Sequence, residues 1–337
     1  MNRLGRERIP FLFVLDFELK NPLIIPLSEV DPNEIMYDME GLSNSSIVSG
    51  EISGKEWYWQ KFPVSEARYY EAFQFVVEQE LKGNSFLVNL TFPTRVETDL
   101  TLQQMFFQAD AKFKLWLKDQ LVVFSPESFV TIRNNQISSF PMKGTIKADL
   151  PNAGEVILND RKEMAEHVTI VDLIRNDLSR VADQVSVSRF RYLDRINSRP
   201  SPLLQVSSEV TGNLRPDWRE NIGALFEKLL PAGSISGAPK PKTLEIIKEA
   251  ENYDRGYFTG VFGLFDGENL SSAVMIRYME QIHDQKFFKS GGGITIYSEA
   301  ASEYQELIDK VYVPIPGNHF SARPAIAQPG MASATGR

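Results

Sequence analysis

Apolar side chains recur at helical spacing in several stretches of this chain. Between 160 and 181 they recur about every 3.5 residues, which places them along one side of an α-helix. The positions are Met164, Val168, Val171, Ile174, Leu178 and Val181. The segment is therefore predicted to be an amphipathic helix. The same kind of pattern predicts further helices over 68–81, 218–230, 242–251 and 299–311.

Other apolar runs are short, rich in β-branched and aromatic residues, and bounded by turn residues. They predict strands over 11–17, 86–92, 260–265, 271–280 and 287–297. Residues 115–145 add a meander of strands with turns at Lys118-Asp119 and Asn134-Asn135, which implies antiparallel pairing. Because strands and helices do not alternate regularly, we predict an α+β fold: a single large domain of antiparallel β-sheets flanked by helices.

The chain divides into three regions. Residues 1–67 are predicted to add N-terminal strands to the same domain, and 68–313 to form the region that carries the chemistry. Residues 314–337 are rich in Pro, Gly, Ala and Ser without an apolar period, so we expect a disordered tail. Near the N-terminus, Asp16 interrupts the apolar run after Leu15, which leaves it too short for a signal sequence or a membrane span.

Composition and charge argue against several classes of function. The formal net charge is −8, whereas a nucleic-acid surface needs a clustered excess of Lys and Arg. The chain has no cysteine, which excludes disulfides, a thiolate nucleophile and cysteine-ligated zinc. A cytoplasmic protein that binds a small anion in a locally basic pocket fits this composition.

Two predicted helices each carry a pair of glutamates three residues apart. Glu163 and Glu166 lie in the first, whereas Glu303 and Glu306 lie in the last, followed by Lys310. Residues at this spacing share a helix face, so each pair repels unless a cation lies beside it. Facing helices of this kind would offer oxygen ligands to Mg²⁺, and Lys310 would suit an anionic substrate group. The alternative is a solvated acidic face near a helix N-terminus, where the helix dipole favours Glu.

A glycine-rich loop, PAGSISGAPK at 231–240, leads into a predicted helix. Its glycines allow the backbone to approach a ligand, and free N–H groups at a helix start attract an anion. A simple turn is the alternative. The loop is not a Walker A motif, because Ala238-Pro239 separates Gly237 from Lys240.

Lys143 lies in a second short motif, PMKGT at 141–145. It is either a surface lysine on a turn or an amine that attacks carbon. The second interpretation requires a divalent cation and other basic groups nearby, which would depress its pKa. Gly144 would then leave room for a ligand, and Thr145 would offer a hydroxyl group to a substrate oxygen.

Eight strings in order resemble the chorismate-utilising enzymes, the family of anthranilate, aminodeoxychorismate, isochorismate and salicylate synthases. They extend from about residue 85 to 311 and are FLVNLTF, SPESF, PMKGT, KEMAEHVTIVDLIRNDLSRV, PAGSISGAPK, RGYFTGVFG, GGGITIYS and EYQELIDKV. DLIRNDLSRV and GSISGAPK are highly specific in this context, whereas the others contribute position more than identity.

The resemblance implies roles for particular residues. In the family one Mg²⁺ lies between the substrate carboxylate and glutamates on two helices. By resemblance Glu166 and Glu306 are direct ligands, and Glu163 and Glu303 act through water. Glu127 resembles the acid/base carboxylate that assists departure of the ring hydroxyl. The groups that resemble the family's carboxylate-binding pocket are Arg277, Lys310 and the backbones of Ser236, Gly237 and Gly293.

The lysine of PMKGT separates the subclasses of the family. Anthranilate and salicylate synthases generally carry Ala there, whereas aminodeoxychorismate synthases carry a Lys that adds covalently to the ring before ammonia displaces it. Lys143 therefore implies amination of chorismate to 4-amino-4-deoxychorismate, for para-aminobenzoate and folate synthesis. Ammonia is expected from a glutaminase (amidotransferase) partner, because this chain has no cysteine with which to hydrolyse glutamine.

The sequence departs from the family pattern at named positions. Leu87 stands where many members have Gln or, in the water-adding enzymes, a catalytic Lys, and Gln205 stands where a His is common. The region before Tyr70 shows no amino-acid inhibitor motif, so feedback inhibition by tryptophan is not expected. The alternatives are an anthranilate synthase component I and a non-catalytic chorismate-binding paralogue. Retention of Lys143, Glu127 and all four glutamates argues against the paralogue.

Overall fold

The structure is a computed structural model that describes residues 1–45, 57–196 and 202–316 and the backbone of 320–321. These ranges contain nine α-helices: α1 (Asn2–Arg6), α2 (Glu66–Leu81), α3 (Leu102–Gln108), α4 (Ala153–Asn159), α5 (Arg161–Leu178), α6 (Ile222–Leu229), α7 (Gly233–Ser236), α8 (Lys240–Glu251) and α9 (Ala300–Asp309). The predicted helices are confirmed as α2, α5, α8 and α9, while 218–230 is a 3₁₀ turn followed by α6.

Strands make up most of the remaining regular structure. In chain order they are β1 (Phe11–Leu15), β2 (Leu23–Pro26), β3 (Ile35–Met39), β4 (Leu42–Ser43), β5 (Trp57–Phe62), β6 (Leu87–Thr98), β7 (Phe113–Leu117), β8 (Leu121–Ser125), β9 (Ser128–Arg133), β10 (Gln136–Ser139), β11 (Met142–Lys147), β12 (Asp183–Ile196), β13 (Leu203–Asn213), β14 (Gly237–Ala238), β15 (Val261–Phe265), β16 (Leu270–Val274), β17 (Tyr278–Ile282), β18 (Gln285–Ile294) and β19 (Phe320–Ser321).

The strands form two large sheets. A nine-stranded sheet has the order β11-β13-β10-β9-β16-β15-β1-β2, with β12 also paired to β13. A ten-stranded sheet has the order β19-β5-β6-β18-β17-β8-β7-β3-β4, with β14 paired to β6. Neighbouring strands are antiparallel, apart from the short parallel pair of β19 and β5. The predicted α+β fold of antiparallel sheets flanked by helices is confirmed.

Two segments cross from one sheet to the other, and the candidate site lies where they meet. The predicted single strand over 271–280 is wrong: it is broken after Val274, and Arg277 takes a left-handed φ of 50° before β17 begins in the other sheet. The predicted meander also crosses between the sheets: β8 ends at Ser125 in the ten-stranded sheet, and β9 begins at Ser128 in the nine-stranded sheet. The crossings are joined by backbone hydrogen bonds, including one of 3.1 Å from the Val274 amide to the Glu127 carbonyl.

The helices that carry the glutamate pairs pack on different sheets. α5 lies against β11, β12 and β13, and its Val171, Ile174 and Leu178 join the core beside the nine-stranded sheet. α9 lies against β6 and β18 of the other sheet through buried Leu307. Each helix thus buries its apolar side and directs its glutamates toward the junction of the sheets.

The ends of the chain are described only in part. Of the predicted tail, 317–319 and 322–337 lie outside the described residues, while Ile315 packs against buried side chains of the ten-stranded sheet. Asp16, predicted to end the first apolar run, follows β1, and its carboxylate accepts hydrogen bonds from the amides of Lys20 and Asn21. No helix in the described part of the chain is long and apolar enough to cross a membrane.

Candidate active site

Lys143 on β11 is paired with a glutamate of α5. Its Nζ lies 2.9 Å from Glu166 Oε2, and both side chains are partly exposed. Burial lowers the pKa of Lys143, but the hydrogen bond and charge of Glu166 and the charges of Glu163 and Glu306 raise it above the ordinary value. The depressed pKa expected beside a divalent cation stays a prediction, because the groups that set this raised pKa are carboxylates.

The α9 side of the site is built around Glu306 and Lys310. Lys310 Nζ lies 2.5 Å from Glu306 Oε1 and donates to the Gly291 carbonyl at 2.7 Å. Burial tends to raise the pKa of Glu306, but Lys310, with weaker contributions from Lys143 and Arg277, holds it below the ordinary value. The glutamate is therefore ionised and already has a cationic neighbour.

Two glycines leave room for the glutamates of the facing helices. A Cβ on Gly144 would lie 2.8 Å from Glu163 Oε2, and Gly144 has a φ of 88°. A Cβ on Gly292 would lie 3.1 Å from Glu303 Oε2 and 3.7 Å from Glu306 Oε1. The room predicted beside Gly144 is thus taken by a carboxylate of the chain. The sequence did not predict that Gly292 makes room for the glutamates of α9, although Gly292 lies in the GGGITIYS string.

The donor set has the chemistry of a divalent-cation site. Glu163 Oε2 is buried and has no hydrogen-bond partner among the described residues, and such an atom in a cluster of carboxylates fits an oxygen-preferring cation. In the described part of the chain no three acidic or imidazole side chains converge as a ligand set. Two of the glutamates, Glu166 and Glu306, are instead paired with Lys143 and Lys310. The residues therefore fit Mg²⁺ by donor type, with lysines as their present counter-ions.

Glu127 lies at the crossing between the sheets and is partly buried. Ser234 Oγ donates to its Oε1 at 2.9 Å. Burial raises the pKa of Glu127, and the hydrogen bond from Ser234 and the charges of Arg277 and Lys310 only partly oppose this effect. A carboxyl group with a raised pKa retains its proton closer to neutral pH, as a general acid requires. Ser234 was not singled out from the sequence.

The loop at 231–240 contains α7 and β14, and it packs against the start of β6. Gly237 has a φ of 124°, and a Cβ there would lie 1.8 Å from the Leu87 carbonyl oxygen, so only glycine fits. Two of the loop's amides are already bonded within the loop. Ser236 N–H donates to Ala232 O at 3.1 Å, and Gly237 N–H donates to Gly233 O. Their predicted contact with a substrate carboxylate stays a prediction.

The two most specific motifs of the sequence hold each other in place. Lys240 Nζ lies 2.7 Å from Asp177 Oδ1 of α5 and donates to the Leu229 carbonyl at 2.8 Å. Asp177 Oδ2 accepts from the Gly233 amide at 3.2 Å. The DLIRND motif therefore fixes the SISGAPK loop to the helix of Glu163 and Glu166. Sequence reasoning missed this pair, although the opposite charges of the two motifs offered a signal.

The remaining predicted site residues are Arg277, Gly293 and Thr145. Arg277 is close enough to influence Glu127 and Glu306 electrostatically, and its guanidinium lies 5.3 Å from the Tyr312 ring centroid. Gly293 on β18 is opposite Asn89. Thr145 is exposed and pairs with the backbone of Gln205 on β13, so its predicted contact with substrate stays untested.

Comparison with known proteins places this chain in a family. The model of the chorismate binding enzyme family matches residues 35–316, and the chain belongs to that family. An uncharacterised PabA-like protein of Haemophilus influenzae is 49% identical over 316 residues, which cover 94% of this chain and 95% of that protein. Aminodeoxychorismate synthase component 1 of Escherichia coli is 34% identical over 269 residues, which cover 75% of this chain and 58% of that protein.

A solved structure shows the same fold. An isochorismate synthase from Bacillus anthracis, described as 2,3-dihydroxybenzoate-specific, has a TM-score of 0.69 and 20% sequence identity. The match covers 92% of this chain and 85% of that one. The protein thus belongs to the chorismate binding enzyme family, and its fold is that of this solved structure.

Proposed function

We propose that this protein is an aminodeoxychorismate synthase component I that requires Mg²⁺. It replaces the ring hydroxyl of chorismate with an amino group and forms 4-amino-4-deoxychorismate. The observation that carries the proposal is the position of Lys143, whose ammonium pairs with Glu166 among the glutamates of α5 and α9. The relative from Escherichia coli, named aminodeoxychorismate synthase component 1, supports the same activity.

Two residues carry out the reaction, Lys143 as the nucleophile and Glu127 as the acid. Neutral Lys143 forms a C–N bond to the ring while the C–O bond to the hydroxyl breaks. Glu127 gives its proton to the departing oxygen, which leaves as water. Ammonia then displaces the lysine, forms the new C–N bond and restores the free amine. Ser234 holds Glu127 in position for the proton transfer.

The groups around Lys143 and Glu127 bind the substrate and balance its charge. Mg²⁺ held by Glu166 and Glu306, with Glu163 and Glu303 acting through water, would neutralise these carboxylates and bind a substrate carboxylate. Arg277 and Lys310 are the cations placed to bind the anionic groups of chorismate. With Glu166 neutralised in this way, Lys143 would have a lower pKa and could lose its proton.

Ammonia is supplied by a separate glutaminase subunit in this proposal, and the reaction takes place in the cytoplasm. The chain has no cysteine for the usual route of glutamine hydrolysis. The name of the Escherichia coli relative, component 1, supports a second component. The isolated chain should therefore use ammonium at raised pH but not glutamine, and should gain glutamine use when mixed with a glutaminase subunit.

Identification of the product tests the proposal. The chain is incubated with chorismate, Mg²⁺ and ammonium, and the product is identified by mass spectrometry. We expect chorismate in which one hydroxyl is replaced by an amine and the enolpyruvyl group is kept, with the amine para to the ring carboxylate. Anthranilate or isochorismate would assign the chain to another activity of the family. Binding of chorismate without turnover would identify a non-catalytic paralogue.

A further inference from the structure

A cavity open to solvent lies away from the glutamates, where the start of α2 meets β5, β6 and β18. Its volume is about 330 Å³. Most of its walls are aromatic rings and prolines, and its polar side chains are two arginines, a glutamate and an asparagine. The lining comprises Phe62, Pro63, Val64, Arg68, Phe92, Pro93, Arg95, Glu251, Asn252, Tyr253 and Phe287. None of these residues belongs to the proposed active site.

The two arginines lie over aromatic rings of the cavity wall. The guanidinium carbon of Arg95 lies 3.9 Å from the centroid of the Phe62 ring, and that of Arg68 lies 5.4 Å from that of Phe92. Both side chains are about one-third exposed, at 34% and 32%. The rings therefore hold both guanidinium groups at the surface of the cavity, within reach of a ligand.

Both arginines keep hydrogen-bonding capacity. Arg95 NH1 donates to Glu97 at 2.6 Å, and Arg68 NH2 donates to the backbone carbonyls of Ala250 and Glu251. A guanidinium group has five N–H donors, so these bonds leave several of them. The Glu251 carboxylate is neutralised by a buried pair with Arg255. Arg95 is paired with Glu97 at 2.6 Å, and Arg68 lies 3.6 Å from Glu71. The cavity therefore combines aromatic walls with guanidinium N–H donors whose charges are balanced by glutamates outside its lining.

We propose that this cavity binds a carboxylate attached to a single aromatic ring. The aromatic walls favour a flat ring through stacking and edge contacts. A planar guanidinium group is suited to bind a carboxylate through paired hydrogen bonds. The volume of the cavity falls in the range of small-ligand sites, which place a few polar groups in a mostly apolar wall. An aliphatic anion gains nothing from the rings, and a neutral ring gains nothing from the arginines.

The floor of the cavity belongs to a buried hydrogen-bond network. Tyr253 Oη lies 2.6 Å from Thr91 Oγ1, and Glu251 Oε1 accepts from the Thr91 amide at 2.9 Å. Glu251 also accepts from Arg255 through both carboxylate oxygens. The Glu251 side chain is nearly inaccessible, so a ligand reaches this network through Tyr253.

The other end of the network reaches the loop at 231–240. Arg255 donates to the Ile235 carbonyl at 2.9 Å and to the Asn89 carbonyl at 2.7 Å. Ile235 follows Ser234, whose hydroxyl donates to Glu127. Through these contacts a ligand in the cavity would influence the loop that positions the acid, as a consequence of the proposed binding. This effect on activity rests on the proposed function, whereas binding to the cavity does not.

Calorimetric titration with benzoate tests the proposal. Acetate, which has the charge without the ring, and benzamide, which has the ring without the charge, are titrated in parallel. The cavity variants are Arg95→Gln and Phe62→Leu. Arg215→Gln changes an exposed arginine that does not line the cavity and is the matched control. Arg277→Gln removes a proposed chorismate-binding cation, so it reports any benzoate bound in the active site.

Benzoate should bind the unchanged protein more tightly than acetate or benzamide. Arg95→Gln should weaken binding about tenfold, the loss of roughly one charge-assisted hydrogen bond, and Phe62→Leu should weaken it as well. Arg215→Gln and Arg277→Gln should leave binding unchanged. Benzoate should also slow hydrogen exchange of the amides at 233–238. Equal binding of the three probes, full affinity in Arg95→Gln, or loss of binding in Arg277→Gln would overturn the proposal. Melting temperatures confirm that each variant is folded.

Discussion

Lys143 Nζ lies 2.9 Å from Glu166 Oε2, so the proposed nucleophile is the present counter-ion of a proposed metal ligand. The same side chain is electrostatically coupled to Glu163 and Glu306. One group of carboxylates thus either keeps the lysine protonated or binds a divalent cation. In the proposed mechanism, metal binding and activation of Lys143 would therefore be linked through these glutamates.

Replacing a proposed metal ligand should abolish activity and leave the fold intact. Glu166→Gln and Glu306→Gln should each lower the Mg²⁺-dependent rate by roughly 100-fold or more, because second-shell changes alone reach that size. Glu249→Gln, which changes an exposed glutamate of α8, is the control and should keep full activity. Circular dichroism checks the fold. Full turnover of the unchanged protein in excess chelator would contradict the metal requirement.

Removing the hydroxyl of Ser234 should shift the pH dependence of the reaction. Burial raises the pKa of Glu127, and the hydrogen bond from Ser234 lowers it. Without that bond the carboxyl group stays protonated to higher pH, so the alkaline limb of kcat/KM should move to higher pH in Ser234→Ala. The limb should lie above the usual range of a carboxyl group in both proteins. A limb that moves to lower pH in Ser234→Ala would refute the acid role of Glu127.

The buried pair of Glu251 and Arg255 should matter far more for stability than an exposed pair of the same kind. Both side chains are nearly inaccessible, and the ions lie 2.5 Å apart. Arg255→Gln leaves a buried carboxylate uncompensated and should lower the free energy of unfolding by about 3–5 kcal/mol. Arg175→Gln breaks the exposed pair with Asp172 and should cost less than about 1 kcal/mol. Urea denaturation measures both, and equal losses would contradict the account.

Glu80 should make the protein less stable as the pH rises. Its side chain is 6% exposed, neither oxygen has a hydrogen-bond partner among the described residues, and burial raises its pKa to about 8. The pKa of Glu80 is higher in the folded protein than in the unfolded chain. Its contribution to the free energy of unfolding is therefore complete below the ordinary carboxyl pKa and falls as the pH rises to about 8. The loss should approach roughly 1.4 kcal/mol per pH unit.

Glu80→Gln should remove this dependence. The variant should gain stability over the unchanged protein between about pH 5 and 8, with no further gain above that range. Glu78→Gln changes a largely exposed glutamate of the same helix and is the matched control. Urea denaturation at several pH values measures the difference. An advantage of Glu80→Gln that is the same at every pH would show that the carboxyl group does not titrate in this way.

Local patterns predicted the helices and most strands, because each buries one apolar side. They did not predict the break at Arg277, since its apolar neighbours continue through a crossing between sheets. The break depends on pairing between strands that are far apart in the sequence. The glutamate pairs were found from spacing alone, as residues three apart share a helix face. The charge state of Lys143 depends on carboxylates from distant elements, so the sequence could not determine it.

The covalent role of Lys143 is the central claim, and intact-protein mass spectrometry tests it most directly. The chain is mixed with chorismate and Mg²⁺ in the absence of ammonia, quenched and weighed, and the modified residue is located by peptide mapping. We predict an adduct of chorismate less one water on Lys143, its disappearance when ammonium is added, and no adduct in Lys143→Ala, which should also aminate slowly. An unmodified chain, together with a Lys143→Ala variant that aminates chorismate at the full rate, would contradict the claim.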